Sequence, residues 1–460
     1  MSRQHTNLER KMQARHVQMI SMGGVIGTGL FLSSGYTIAQ AGPLGTILSY
    51  IIGAVLVYLV MVCLGELAVA MPYTGAFHVY AKRYLGPATG FVVAILYWLT
   101  WTIALGSEFT GTGLIMQQWF PQIPVWIWST LFIILIFGLN AFSVRIFAEG
   151  EFWLAVIKVI AILTFIVLGT LAIVHLLPLK NGQTAHVTTN LFGHGLFPNG
   201  VSKVFSTMLT VTFAFSGTEL IGVTAGETKD PATTIPKAIH STVWRLIIFF
   251  VGAIIVMAAL IPYKEAGVST SPFVVVFRQL GIPYVADIMN FVILTAIIST
   301  ANSGLYASAR MLWSLSNEGL ISKKIAQTNA AGVPMRALVW SMFGGLLALL
   351  SSVIAADTLY VVLVSISGMA VMLVWVAIAA SAIKFRQQFF AQGHQVDELA
   401  YHMPGYPVVP WLALIGSSLS VLLTIFDATQ RVALYYTVPF VILCYLGYYL
   451  ISRHSVTNKL

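Results

Sequence analysis

Residues 19–35 read MISMGGVIGTGLFLSSG, apolar enough to lie in a membrane yet carrying Gly23, Gly24, Gly27, Gly29 and Gly35. Glycine in a helix interior costs roughly 1 kcal/mol relative to alanine, so this run of glycines needs a reason. Two are open. Gly23 and Gly27 stand four apart, the spacing by which small residues let membrane helices pack closely. Alternatively the helix breaks at mid-membrane and turns bare backbone groups towards a substrate. Residues 211–226, VTFAFSGTELIGVTAG, shift the balance towards the break. They interrupt a second apolar run with Ser216, Gly217, Thr218 and Glu219, as Gly27-Thr28-Gly29 interrupts the first. Paired interruptions at corresponding places in two halves of a chain are the best sequence pointer to a transporter binding site.

Composition agrees with a membrane setting. Of 460 residues 58% are hydrophobic and only 8% charged, whereas soluble domains carry about 25% charged residues. Lipid offers no hydrogen-bond partners, so spans are helices or closed barrels. The apolar runs are roughly 20 residues long, the helical length rather than that of barrel strands. Twelve runs of about this size fall at 17–40, 44–71, 87–118, 123–146, 152–177, 202–225, 243–262, 283–312, 335–355, 358–383, 409–427 and 432–452. The expectation is an all-α polytopic membrane protein forming one transmembrane domain over 1–460, with no separate soluble domain. If the first and second groups of five spans are repeats, their odd span number sets them in opposite orientations, with the two interruptions in corresponding helices.

Charge gives the direction. Most of the 24 Lys and Arg fall in loops on the N-terminal side, and only Lys180, Lys203, Lys264, Arg278 and Arg431 fall on the other. By the positive-inside rule both termini are expected in the cytoplasm. The net charge of +9 is thus read as topology rather than nucleic-acid affinity. The polar start MSRQHTNLERKMQARH shows no cleavable leader pattern. Cys63 and Cys444, the two cysteines, lie singly in apolar runs and read as inert thiols.

Backbone chemistry suggests the ligand. The second half of a broken helix offers free N–H groups and a positive dipole end, which suit a carboxylate. The first half ends in free carbonyls, which suit an ammonium group. Both at one depth match the two ends of an α-amino acid.

At this point a resemblance emerges. GGVIGTGLF in span 1 and FAFSGTELIGVTAGETKDP through span 6 resemble the bacterial amino acid permeases of the amino acid–polyamine–organocation superfamily. LGELAVAMPYTGAFHVYAKRYLGPATGF, EGEFWLAVIKV and NSGLYASARMLWSLSNEG carry it over nearly the whole chain, with the S-methylmethionine permease type the nearest in pattern. The resemblance implies a LeuT-like fold: inverted five-helix repeats, about 17–177 and 202–383, plus two helices over about 409–452. It places the substrate carboxylate on the N–H groups and hydroxyl of Gly27, Thr28 and Gly29. It places the amine near the carbonyls of Val25, Phe213 and Ser216, with Gly217 and Thr218 in the same site. Phe213 or Phe215 is expected as an aromatic gate, against the plainer reading of packing.

Ionisable groups inside spans are functional hypotheses by default. Lys158 sits near the start of span 5, where it either snorkels to the interface or, as the resemblance implies, stands where sodium sits in sodium-coupled relatives and carries the coupling proton. Glu219, just past the second interruption, is a candidate for proton coupling, gating or substrate contact, or for hydrogen-bonding the loose backbone in a structural role. Glu108 in span 3 either faces the cavity, offsetting a substrate cation, or bonds between helices. Glu66, close to the basic loop of Lys82 and Arg83, is expected in a structural or cytoplasmic-gate ion pair, and Glu227, Lys229 and Asp230 to serve a cytoplasmic gate or simple solvation. Ser299, Thr300, Asn302 and Ser303 form a polar patch on span 8 that reads first as helix-to-helix bonding and second as contact with Lys158.

The expected function is import of an α-amino acid across the cytoplasmic membrane by proton symport, with S-methylmethionine as the single best substrate. An amino acid or amine exchanger and a neutral amino acid permease are the alternatives. The partners are the amino acid, protons and lipid, with no cofactor or metal. No GxSxG, HExxH or P-loop sequence is present, which disfavours an enzyme or ATPase.

Overall fold

A computed structural model describes residues 23–73, 77–142, 144–223, 225, 230–329 and 333–457. Every regular element among them is a helix. The first interruption leaves residues 23–25 helical, bends at Ile26 and Gly27, and resumes as α1 (Thr28–Phe31). Next comes α2 (Ser33–Ala70), which is two helices joined at Gly42. Gly42 has φ +75°, a conformation that favours glycine, and the following Pro43 starts the second segment.

A short helix α3 (Phe77–Tyr84) then leads to α4 (Pro87–Met116), α5 (Val125–Phe142) and α6 (Val144–Ile173). After α7 (Val187–Phe192) and α8 (Ser202–Ser206) the second interruption parts α9 (Met208–Phe215) from α10 (Leu220–Val223). The remaining helices are α11 (Pro231–Leu260), α12 (Pro272–Leu280), α13 (Val285–Asn317), α14 (Met335–Met342), α15 (Ala356–Ala391), α16 (Val408–Leu423) and α17 (Arg431–Thr457). Proline at the first turn of α4, α11 and α12 starts each helix where its missing N–H has no intrahelical partner to lose.

Nine helices among the described residues are long and apolar enough to cross a membrane, and Val125–Ala141 and Met208–Gly222 are shorter apolar ones. Helix α4 packs along both α13 and α15, while α11 packs along α2. This scaffold encloses the two interruptions, whose described residues are buried throughout. By contrast, α17 leaves Tyr435, Leu443, Leu446 and Leu450 exposed, the surface a lipid environment covers.

Three boundaries differ from the sequence reading. The run 335–355 is one turn-rich passage, α14 followed by a 3-10 stretch over Gly345–Ser352. Close approach explains part of this, because a Cβ on Gly344 would lie 1.8 Å from the Thr102 carbonyl oxygen. Helix α15 continues to Ala391 rather than ending near 383, because Arg386 is neutralised inside the protein. The loop near 72–86 contains the helix α3. Glu227, Lys229 and the start of the first span lie outside the described residues.

Candidate binding site at the paired helix breaks

The two interruptions touch each other. An added Cβ on Gly29 would sit 2.6 Å from the Ala214 Cα, and one on Gly217 would sit 3.0 Å from the Gly24 carbonyl oxygen. Gly217 also has φ +104°, so both conformation and space require glycine there. A Cβ on Gly27 would lie 2.7 Å from Thr300 Oγ1 and 2.9 Å from its methyl group. At both interruptions the glycines thus serve close backbone approach.

The donors of the first break are engaged. Thr28 donates its N–H to Glu108 Oε2 (3.3 Å) and its hydroxyl to Glu108 Oε1 (3.0 Å), and both residues are buried. Glu108 therefore bonds between helices, across 80 positions of sequence, and its carboxylate lies on the donors expected to hold a substrate carboxylate. The Gly27 N–H turns back to the Val25 carbonyl (3.1 Å). Tyr360 from α15 donates its hydroxyl to the Thr28 carbonyl (3.0 Å) and lies 2.7 Å from the Ser33 hydroxyl. Nothing in the sequence around Tyr360 points to this contact.

At the second break the Ser216 N–H donates to the Phe213 carbonyl (3.1 Å), and the Gly217 N–H donates to both Glu219 oxygens (3.1 Å each). Glu219 thereby caps the break from within two residues. Thr218 donates its hydroxyl to the Phe215 carbonyl (3.1 Å). Tyr97 and Trp375 face Glu219 from α4 and α15. Both aromatic residues are fully buried. Neither stood out in the sequence, where aromatic residues in apolar runs are commonplace.

The aromatic pair separates. Phe215 is fully buried, stacked on Phe250 (4.9 Å) and tilted against Tyr50 (6.1 Å), so its surroundings are those of packing. Phe213 is 6% exposed and lies at the break itself.

Lys158 does not snorkel. It is fully buried and donates to the Gly23 carbonyl (2.7 Å) and the Ser299 hydroxyl (2.9 Å). Thr300 Oγ1 reaches the carbonyls of Ile26 (3.0 Å) and Gly23 (3.3 Å). The polar patch of α13 thus does both: Ser299 supports Lys158, Thr300 the first break, and Asn302 accepts from Asn140 of α5 in an ordinary helix-to-helix bond.

Glu66 does form an ion pair. Its partner is Arg386, not Lys82 or Arg83: Nε donates at 2.7 Å and Nη2 at 2.6 Å, with the Met403 N–H adding a third bond at 2.6 Å. Lys82 instead reaches Glu318 (2.9 Å), which also holds His78 (2.8 Å). Burial opposes ionisation of Glu318, but bonds and charge from His78 and Lys82 outweigh it and hold the carboxyl at about 2. Cys63 and Cys444 are both free.

Comparison with known proteins is consistent with this geometry. Residues 16–460 match the family described as Amino acid permease. The chain is 50% identical to Amino-acid permease RocE of Bacillus subtilis (strain 168) over 446 residues, covering 97% of this chain and 96% of that one. It is 40% identical to Histidine permease HisP of Lactococcus lactis subsp. cremoris (strain MG1363), covering 96% and 94%. It is 38% identical to Lysine-specific permease LysP of Escherichia coli (strain K12), covering 97% and 94%.

Proposed function

This chain belongs to the amino acid permease family, and from that premise we propose that it imports an α-amino acid with a nitrogen-bearing side chain by proton symport. The observation that carries the reading is the Glu108 carboxylate on the Thr28 donors. A carboxylate is the group those donors suit, and the substrate's carboxylate competes for the same place. Protonation weakens Glu108 as an acceptor, so a proton taken up there favours substrate docking on Thr28 and Gly29. Lys158, tied to Gly23 at the start of the broken helix, is the second candidate for the coupling proton, and Glu219 the third. The amine is assigned to the carbonyls around Val25, Phe213 and Ser216, beside Gly217 and Thr218, with Phe213 as gate.

Histidine and lysine are the first substrates to try, given the names of two relatives. S-methylmethionine, suggested by the sequence resemblance, shares a positive side chain and remains in the panel. The architecture assigned to this function is twelve spans with two inverted repeats, about 17–177 and 202–383, and both termini in the cytoplasm. The distribution of Lys and Arg supports that orientation.

The test is uptake of labelled histidine into proteoliposomes with and without an inward proton gradient, competed by lysine, S-methylmethionine and neutral amino acids. Gradient-driven uptake is expected, with competition by the basic compounds. Uptake that requires internal amino acid and ignores the gradient would make the protein an exchanger.

A further inference from the structure

A cavity of about 440 Å³ opens away from the paired breaks, between the end of α2, the helix α3, the end of α15 and the turn that follows it. It shares no lining residue with either interruption. Its apolar wall is aromatic: Tyr84 meets Phe385 edge-on (5.8 Å), and Phe389 stacks on His394 (4.8 Å).

Two charged groups line it. The Arg83 guanidinium lies 3.4 Å from the Met71 sulfur and 5.7 Å from the Tyr84 ring centre, and no carboxylate among the described residues pairs with it. Tyr401 adds to the wall, its ring packed against Gly65 and its hydroxyl buried away from the cavity. Glu398 is fixed by the Gln395 N–H (2.9 Å) and His394 Nδ1 (2.6 Å). A carboxylate has about four lone-pair sites, so it still has acceptor capacity.

The wall is also held rigidly. The buried Glu66–Arg386 pair and its bond from the Met403 N–H pin the segment after α15. A buried ion pair adds little stability in itself, and this one serves no group at the breaks.

We infer that this cavity is a second binding site, for a free zwitterionic α-amino acid arriving from the side that the proposed orientation puts in the cytoplasm. Its carboxylate meets Arg83, whose planar fork suits a carboxylate. Its ammonium group meets Glu398, and its side chain lies along the Tyr84–Phe389 wall. The volume falls within the ordinary range for small-molecule sites, roughly 300–1,000 Å³. Occupancy there would report the internal level of the cargo to a transporter that fills it. The choice of amino acid as ligand rests on the proposed transport function.

The test is equilibrium binding of labelled L-histidine to the purified full-length protein in neutral detergent. Wild type is expected to bind two equivalents, Gly27→Val one, Arg83→Gln one and the double variant none. Glu398→Gln keeps the side chain's size and is expected to weaken the Arg83-dependent equivalent by roughly fivefold, which keeps the test open should Gly27→Val fail to fold. Unchanged binding by Arg83→Gln and Glu398→Gln overturns the inference and leaves the transport site standing. An equivalent lost by Arg83→Gln but not by Gly27→Val sustains the second site and overturns the site at the breaks. Displacement of the Arg83-dependent equivalent by an anionic phospholipid, but not by unlabelled histidine, overturns the amino acid assignment in favour of a lipid headgroup.

Discussion

Replacing Glu108 by glutamine changes the competition at Thr28 while keeping the side chain's shape. In the native protein two bonds from Thr28 reach a carboxylate, at 3.3 Å from the N–H and 3.0 Å from the hydroxyl. A hydrogen bond to a charged acceptor contributes about 1.5–3 kcal/mol, a neutral one about 0.5–1.5 kcal/mol. The amide also keeps only one acceptor oxygen, its other terminal atom being a donor. The internal competitor therefore weakens by about 1–2 kcal/mol, and histidine affinity at neutral pH is expected to rise roughly 5- to 30-fold. Protonation of Glu108 makes the same change in wild type, so native affinity is expected to tighten as pH falls and the variant's to stay flat. Equilibrium binding of labelled histidine across the neutral to mildly acidic range reads both effects. A fall in affinity in Glu108→Gln would refute the competition and make Glu108 the countercharge of the substrate side chain.

Gly27→Val is expected to abolish uptake, because its Cβ alone would enter the space of Thr300 Oγ1 at 2.7 Å; normal uptake would exclude a site at the break. Lys158→Ala is expected to flatten the pH dependence of uptake. By removing its bonds to the Gly23 carbonyl and the Ser299 hydroxyl it should also lower stability by about 1–3 kcal/mol. A pH profile that matches wild type would leave Lys158 a purely structural role. The Glu318 carboxyl sits at about 2, below its ordinary 4.5. Its contribution to stability is therefore present above pH 4.5 and lost as pH falls towards 2. Thermal unfolding should show Glu318→Gln less stable than wild type at neutral pH, with the gap closing in acid.

Local signals made much of this protein legible. The gap between the runs 17–40 and 44–71 falls at Gly42-Pro43, where one residue adopts a positive φ and the next starts a helix. The glycine clusters at 23–29 and the Ser216-Gly217-Thr218 run marked the breaks, because backbone contact at Gly29 and Gly217 excludes any side chain. Pairings across the sequence were not legible. Glu66 reaches Arg386, 320 positions away, while Lys82 and Arg83 are its nearer basic neighbours in the sequence. The same pairing hid the true end of α15, since hydropathy takes Lys384 and Arg386 as the edge of a membrane span. Glu108 stood between two readings because its partner Thr28 belongs to another helix. Tyr360, Tyr97 and Trp375 are placed by helix packing alone, and nothing in their sequence neighbourhoods sets them apart from lipid-facing aromatic residues.

The most direct measurement is an experimental structure of the full-length protein with histidine bound. The account predicts the ligand carboxylate within hydrogen-bonding distance of the Thr28 N–H and hydroxyl, its amine at the carbonyls near Val25 and Phe213, and Glu108 displaced from Thr28. Histidine bound elsewhere, with Glu108 still on both Thr28 donors, would contradict it.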